Sequence, residues 1–109
     1  TGTPTRDFIY VDDVSRILFD LANQDDIGPF NIGSGQETSI RQVADMVKYV
    51  SGYDGEIVFD PTAPDGQPRK VLNTRRVRSV SISSRWYTPL EEGIQRTVDW
   101  YMTSNEVRK

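Results

Sequence analysis

Three stretches of the sequence carry apolar side chains at helical spacing, and this pattern constrains the fold more than any other feature. The first follows Asp12-Asp13, the second follows Ser39, and the third follows Thr88. Segments rich in β-branched and aromatic residues lie between them and are typical of strands. The sequence therefore predicts a small α/β domain with about three main helices and short strands. The apolar faces contain Val14, Ile17, Leu18, Leu21 and Ala22, then Ile40, Val43, Ala44, Val47 and Val50, then Leu90, Ile94, Val98 and Tyr101.

Local signals predict where the second and third helices begin and end. Ser39 and Gln42 form a capping-box pattern, and Ser51-Gly52 is typical of a helix end. Thr88 is expected to cap the last helix, with Pro89 at the first helical position.

The adjacent aspartates Asp12 and Asp13 precede the first helix. One of them is expected to cap it, because a carboxylate at a helix N-terminus is favourable in itself. Metal binding and acid–base chemistry are the alternatives that the pair leaves open.

Short strands are predicted at four places, which are residues 6–11, 29–32, 55–60 and 71–72. Asn73 or Thr74 is expected to cap a helical turn that ends near Arg78, and residues 79–84 are expected to be loop-like or weakly extended. Gly93 inside the last helix costs about 1 kcal/mol relative to alanine. Its presence predicts close packing against another backbone.

The composition excludes several classes of chemistry. With 109 residues, 36% apolar and 27% charged, the chain is expected to form one domain over residues 1–109, with a polar tail from about residue 103. It contains no cysteine and no histidine, so thiol catalysis and thiolate or imidazole metal sites are excluded. No catalytic residue and no metal site is predicted. No apolar run approaches the roughly 20 residues that span a bilayer.

The beginning of the chain carries two further expectations. No secretory signal is visible at Thr1-Gly2-Thr3-Pro4, so a cytoplasmic location is the default expectation. The chain also begins without methionine, which indicates an excised piece or a processed product.

Positive charge is concentrated in one part of the chain. Residues 1–65 carry twelve acidic and four basic side chains, whereas residues 66–90 carry six basic and no acidic ones. Such a concentration favours an anionic ligand, although a solvated basic edge has the same composition. Binding of nucleic acid is not expected, because the isoelectric point near 4.8 is far from the basic value typical of duplex binders.

Residues 63–72, Ala-Pro-Asp-Gly-Gln-Pro-Arg-Lys-Val-Leu, form what we call the clamp loop. Two prolines fix the backbone on either side of an Asp-Gly turn, so Arg69 and Lys70 are aimed by the loop. Arginine grips a phosphate through a planar fork of donors, and lysine adds a point charge beside it. The clamp loop is therefore interpreted as an anion clamp. The alternative is an ordinary connection whose Arg-Lys pair is a solvated strand edge.

The Gly33-Ser34-Gly35 stretch resembles part of a dinucleotide-binding fingerprint. The third glycine is missing, since Thr38 occupies its place, and no acidic residue ends a second strand at the required distance. A dinucleotide site in this loop is therefore not expected.

With these residues identified, the chain resembles, over nearly its whole length, the C-terminal part of extended short-chain dehydrogenase/reductase enzymes that act on nucleotide sugars. Within that group it is most similar to the GDP-L-fucose synthase branch, in which the motif at residues 64–70 is typical. The motifs that carry the resemblance are Gly-x-Pro-x-Arg-Asp-Phe-Ile-Tyr-Val-Asp-Asp at 2–13, Phe-Asn-Ile-Gly-Ser-Gly at 30–35, Pro-Asp-Gly-Gln-Pro-Arg-Lys at 64–70 and Pro-Leu-Glu-Glu-Gly-Ile at 89–94.

The resemblance implies a nucleotide-sugar site made of Arg6, Asp65, Arg69 and Lys70. Arg6 corresponds to the arginine that approaches the nucleotide diphosphate, and the other three belong to the loop that closes over the nucleotide. Two departures stand out, because the family commonly has aspartate at position 73 and a more compact Leu-Gly-Trp where residues 82–86 lie. We expect from these that the last helix is displaced.

The resemblance also implies what the chain lacks. Family enzymes bind NAD(P) on an N-terminal Rossmann domain and transfer a proton through a Tyr-x-x-x-Lys pair, and neither the glycine fingerprint nor that pair occurs here. The chain is therefore expected to bind no cofactor and to be inactive alone, with a nucleotide sugar as its ligand and a homodimer or a Rossmann-domain partner as candidate assemblies. The alternative is a non-enzymatic interaction or oligomerisation module derived from that fold.

Overall fold

The computed structural model describes residues 1–26 and 28–104. All three predicted helices are present, and a shorter fourth one lies before the last. The predicted polar tail falls mainly on residues 105–109, which lie outside the described residues. The elements in chain order are β1 Thr5–Arg6, α1 Val11–Ala22, β2 Thr38–Ser39, α2 Ile40–Ser51, β3 Arg69–Lys70, α3 Arg75–Val80, a 3-10 turn Ser83–Arg85 and α4 Leu90–Thr103.

The boundaries of α2 follow from its local sequence as predicted. The Ser39 hydroxyl accepts a hydrogen bond from the Gln42 N–H at 3.1 Å, and the Gln42 side-chain oxygen accepts from the Ser39 N–H at 2.8 Å. At the other end, Gly52 takes a left-handed φ of 70°, which lets its N–H reach back to carbonyls of the last turn. The capping box is confirmed, and such a cap stabilises a helix by about 1 kcal/mol.

The predicted caps of α1 and α4 are wrong, and the two errors have one cause. Tyr10 precedes α1 in extended conformation and makes no side-chain cap, while Pro89 precedes α4. The Asp13 carboxylate is only 1% exposed and accepts hydrogen bonds from the Thr88 N–H at 2.8 Å and the Thr88 hydroxyl at 2.9 Å. Arg16 also donates to it. Asp13 and Thr88 therefore use their hydrogen-bonding groups on each other and not on the ends of their helices. This contact joins the start of α1 to the start of α4.

The sheet is small and has the order β2-β1-β3. β1 runs antiparallel to β2, with Thr5 opposite Ser39, and parallel to β3, with Thr5 opposite Arg69 and Arg6 opposite Lys70. The strand predicted for residues 71–72 is therefore two residues too late.

Three other strand predictions were wrong in extent or existence. Pairing of the first strand stops at Arg6, and Val11 already belongs to α1. Residues 29–32 and 55–60 form no strand in the described structure, although Ile57 and Phe59 are half-buried while Val58 is 78% exposed, as alternation requires. A strand needs a neighbour for its backbone hydrogen bonds, and the described chain supplies none for these segments.

The region around α3 is more helical than predicted. Thr74 occupies the N-cap position without a side-chain cap, and the oxygen of Asn73, one residue earlier, accepts from the Arg75 N–H at 3.1 Å. α3 continues to Val80 and the 3-10 turn follows, so the expectation of an extended 79–84 segment was wrong. The Ser81 hydroxyl donates to Asp20 at 2.7 Å, and this bond ties the turn to α1.

Gly93 permits the close approach that its position in a helix predicted. It is buried, and a Cβ built on it would lie 3.1 Å from Tyr10 Cβ. The neighbour is a side chain, so the predicted backbone contact was wrong in that detail.

The buried aliphatic core of the described chain is very small, since Ile17 and Val77 are its two buried apolar side chains. The Cα radius of gyration is 16.2 Å, against about 13 Å expected for a compact domain of this length. None of the described helices combines the length and the apolar composition needed to cross a membrane. Large apolar side chains are exposed at Val11, Leu18, Phe19, Val47, Tyr49, Tyr53, Val58, Ile82, Trp86, Trp100, Tyr101 and Met102.

Replacing Asp13 by alanine should destabilise the chain strongly. The change leaves the Thr88 N–H and hydroxyl without their acceptor, so we expect a loss of about 2–4 kcal/mol in the free energy of unfolding. Urea denaturation followed by circular dichroism measures it. The matched control is Asp12→Ala at the exposed neighbour, with an expected loss below about 1 kcal/mol. Equal losses in the two variants would contradict the role given to Asp13.

Candidate functional site

The parallel pairing of β1 with β3 places Arg6 opposite Lys70 of the clamp loop, 64 positions further along the chain. The Thr5 N–H also donates to the Pro68 carbonyl at 2.9 Å. Side chains alternate between the faces of a strand, so residues that are opposite each other share a face. Arg6 and Lys70 therefore lie on one face of the sheet, and Thr5 and Arg69 lie on the other.

Arg6 supports the clamp loop directly. Its Nη1 donates to the Gln67 carbonyl at 2.7 Å and to the Thr5 carbonyl at 2.7 Å. Gly66 has a left-handed φ of 73°, and a Cβ on it would lie 3.6 Å from Arg6 Nη2. Within the described chain, the hydrogen bonds of this guanidinium come from Nη1. Its other N–H groups form no hydrogen bond with any described residue.

Lys70 and Arg69 differ in their ion pairing. Lys70 is exposed, and its ammonium forms no ion pair with any described residue. Arg69 Nε donates to Glu37 at 3.0 Å, and the other oxygen of Glu37 accepts from the Thr5 hydroxyl at 2.8 Å. The structure therefore brings Arg6 and Lys70 together on one face but pairs Arg69 with a carboxylate on the opposite face.

Asp65, the fourth residue of the expected site, contacts the beginning of the chain. Its carboxylate accepts from the Thr1 ammonium and from the Thr1 hydroxyl, the latter at 2.7 Å. The ammonium contact, followed by the hydroxyl, lowers the pKa of Asp65 below its usual 3.8. Asp65 is therefore ionised at neutral pH, and its acceptor oxygens are occupied by Thr1.

Asp7 connects β1 to the 33–35 loop and to the end of the clamp loop. The sequence reasoning placed this residue in a strand and gave it no role. Its carboxylate accepts from the Ser34 N–H at 2.8 Å, the Ser34 hydroxyl at 2.7 Å and the Gly35 N–H at 2.8 Å. The Leu72 N–H also approaches it at 3.4 Å. The sequence did contain a signal for this contact, namely the Gly-x-Gly loop at residues 33–35. Successive N–H groups in such a loop form an anion-binding nest, and a carboxylate of the same chain can occupy it.

Gly33 is needed for the same contact. A Cβ built on it would lie 2.9 Å from a carboxylate oxygen of Asp7 and 2.9 Å from Leu72 Cδ1. The glycines of this loop therefore serve a junction inside the chain, in which the Asp7 carboxylate takes the place that a pyrophosphate has in a dinucleotide-binding loop.

The six cations of residues 66–90 do not form one patch. Arg69 and Lys70 lie on the sheet edge, and Arg76 pairs with Asp26 at 3.1 Å while stacking over the Phe30 ring. The others line a separate cleft of about 530 Å³, formed with the 34–36 loop. They are Arg75, Arg78 and Arg85.

Acidification should release Arg69 from Glu37. Hydrogen bonds from the Thr5 hydroxyl and then from Arg69 lower the pKa of Glu37 below its usual 4.5. The contribution of the ionised Glu37 to stability is therefore fully present above about pH 4.5 and is lost as the pH falls through the lower value of the folded state. Urea unfolding between about pH 3 and 7 should show a smaller acid-induced loss for Glu37→Gln than for the unmodified chain.

Glu56→Gln is the matched control for this experiment, because Glu56 is exposed and forms no ion pair in the described structure. This variant should keep the acid-induced loss of the unmodified chain. An identical loss in the Glu37→Gln variant would show that the Glu37 pair contributes nothing to the pH dependence.

Comparison with known proteins finds similar sequences among the GDP-L-fucose synthases. The chain is 39% identical over 94% of its length to GDP-L-fucose synthase 1 of Arabidopsis thaliana, and 42% identical over 95% to GDP-L-fucose synthase of Sinorhizobium fredii. These matches cover 31% and 33% of the two relatives, so the chain spans about a third of their length. No family model matches the chain.

Solved structures agree in fold. A GDP-L-fucose synthetase from Naegleria fowleri bound to NADP matches all of this chain and 35% of its own, with a TM-score of 0.90 and 32% identity. A UDP-glucose 4-epimerase from Thermotoga maritima with UDP-glucose matches 93% of this chain and 32% of its own, with a TM-score of 0.80 and 31% identity. Over nearly its whole length the chain is thus similar to about a third of GDP-L-fucose synthases, and it shares their fold in that part.

Proposed function

We propose that the chain binds the nucleotide diphosphate of a nucleotide sugar at the sheet edge, by which we mean β3 with the clamp loop and the Arg6 side chain of the neighbouring β1. The observation that carries the proposal is the β1–β3 register, which places Arg6 opposite Lys70 on one face. The names of the relatives supply the ligand class, since they include GDP-L-fucose synthases and a UDP-glucose 4-epimerase solved with UDP-glucose.

The two cations suit a pyrophosphate. Neighbouring strands lie about 4.8 Å apart, so the two side chains stand close enough to contact one diphosphate. Arg6 offers its remaining N–H groups as directed donors, and the unpaired Lys70 ammonium adds a mobile charge.

Arg69 and Asp65 complete the proposed site on rearrangement. Arg69 lies on the other face of β3 and turns toward the ligand once its exposed, weak pair with Glu37 opens. Asp65 exchanges the Thr1 hydroxyl for a ribose or sugar hydroxyl, which is the same kind of donor. Both residues therefore respond to the ligand, whereas Arg6 and Lys70 are positioned before it arrives.

The chain is proposed to bind and not to transform its ligand. Its residues do not fit NAD(P), because the N–H groups of Ser34 and Gly35 in its Gly-x-Gly loop already donate to Asp7. The sequence also contains no tyrosine followed by lysine four residues later. In a complete enzyme of this family, hydride transfer would take place on the Rossmann domain against the substrate held here.

Replacing Lys70 by glutamine should weaken nucleotide-sugar binding about tenfold, because one charge-assisted contact to phosphate is lost. Calorimetric titration with GDP-sugars and UDP-sugars at millimolar concentration measures the affinity. Lys48→Gln on α2 is the matched control and should bind as the unmodified chain does. Absence of binding by the unmodified chain, or equal affinities of the two variants, would overturn the proposal for this chain.

A second function is supported by the uncovered apolar surface. Val11 is 64% exposed and Trp100 is 58% exposed, and a groove of about 670 Å³ runs between residues 8–12 and α4. Exposed apolar surface of this extent marks interaction sites. We propose that this groove contacts a Rossmann-type domain like that of the relatives, or else a second copy of this chain.

Light scattering over a concentration series tests the self-association part of this second function. An increase in mass with concentration that Trp100→Ser reduces supports it, since the change removes the largest apolar ring of the groove. Ser104→Ala, just after α4, is the control. A strictly monomeric species, with no binding to a separately supplied Rossmann domain of a relative, would overturn the second function.

A further inference from the structure

The cleft that contains Arg75, Arg78 and Arg85 borders the end of the clamp loop at Leu72, but its three arginines have no role in the function proposed above. One wall is the 34–36 loop, another is the stretch from Leu72 to Arg75, and the third is formed by Arg85, Trp86 and Tyr87. Its volume of about 530 Å³ is in the range of pockets for small ligands.

The charge of the cleft is not compensated. No carboxylate lines it, and none of its three arginines forms an ion pair within the described chain. Arg75 and Arg78 are three positions apart on α3 and so lie on one side of it. Like charges at this spacing repel each other. An anion in the cleft would remove that repulsion.

The arginines are partly ordered by the chain itself. Arg85 Nε donates to the Arg78 carbonyl at 3.4 Å, which holds the Arg85 side chain over α3. The Arg78 guanidinium carbon lies 5.9 Å from the centroid of the Tyr87 ring, within cation–π distance. These contacts hold the Arg78 and Arg85 side chains at the wall of the cleft.

Tyr87 supplies an unused donor. Its hydroxyl oxygen is buried and has no hydrogen-bond partner in the described structure, which is a costly state for a polar group. Burial raises the pKa of Tyr87, so the hydroxyl keeps its proton at neutral pH. The hydroxyl therefore lies beneath the wall of the cleft and not on its open surface.

Trp86 adds an aromatic surface beside these donors. It lines the same cleft and is 68% exposed, so one of the largest apolar rings of the chain is left in solvent next to three guanidinium groups. Exposed tryptophan next to arginine is the combination on which nucleobases stack while their phosphates are neutralised.

From this juxtaposition we propose that the cleft is a second anion site that takes a nucleoside phosphate, with the phosphates on Arg75, Arg78 and Arg85 and the base against Trp86. This site is independent of the sheet edge. Its ligand requires no contact with Arg6 or Lys70, so either site can exist without the other.

The fluorescence of Trp86 tests the proposal. The chain has two tryptophans, so the Trp100→Phe background leaves Trp86 as the sole indole emitter. GDP should change its emission with saturation, pyrophosphate should compete with GDP, and guanosine without phosphate should bind at least about tenfold more weakly.

Charge variants in the same background separate the two sites. Arg78→Gln and Arg85→Gln should each weaken GDP binding at Trp86 about tenfold. Arg41→Gln, an exposed arginine that stacks on Phe59 elsewhere, is the matched control and should have no effect. Circular dichroism confirms that each variant is folded.

Three outcomes would overturn the proposal. They are a Trp86 signal unaffected by GDP, equal affinities in the Arg78, Arg85 and Arg41 variants, and loss of the signal in Arg6→Gln or Lys70→Gln, which would place the ligand at the sheet edge. If nucleotide sugars fail to bind at the sheet edge while GDP still titrates Trp86, the proposed function fails and this site stands.

Discussion

The Asp7 carboxylate joins three separate stretches of chain, because it directly follows β1 and accepts from the 33–35 loop and from the Leu72 N–H beyond β3. These contacts hold the chain in place where it leaves β1 and where it leaves β3. Asp13 and Asp20 act in the same way, the first joining α1 to the start of α4 and the second joining α1 to the turn after α3. Three aspartates thus connect elements that a core of two buried aliphatic side chains cannot hold in register.

The predictable parts of the fold are those fixed by neighbours in sequence. The capping box of Ser39 and Gln42 and the glycine that ends α2 depend on residues within one turn, so they were predicted correctly. The partner of Asp13 lies 75 positions away, and no local rule states that a helix-start carboxylate will prefer it. The strand boundaries failed for a related reason, since the pairing partner decides how far a strand extends.

In the candidate site, too, some features could be predicted from the sequence, and others depend on distant partners. The motifs placed Arg6 and the clamp loop in one site, and the β1–β3 register does put them side by side. The pairing of Arg69 with Glu37 was not predictable, because it requires β3 and the residue just before β2 to meet on the two sides of Thr5. The motifs therefore predicted that Arg6 lies beside the clamp loop, and only the structure shows that Arg69 pairs with Glu37 and Asp65 with Thr1.

The sheet edge and the apolar groove are mechanically linked. Arg6 ends β1, and Phe8 begins the stretch that lines the groove, so Asp7 alone separates them. A partner covering residues 8–12 would restrain the backbone on one side of Asp7, while the Asp7 carboxylate restrains it on the other. Backbone ordering costs about 1–2 kcal/mol per residue, so restraint supplied by a partner lowers the cost of holding Arg6 ready for a phosphate. Covering the groove and binding an anion at the sheet edge should therefore favour each other.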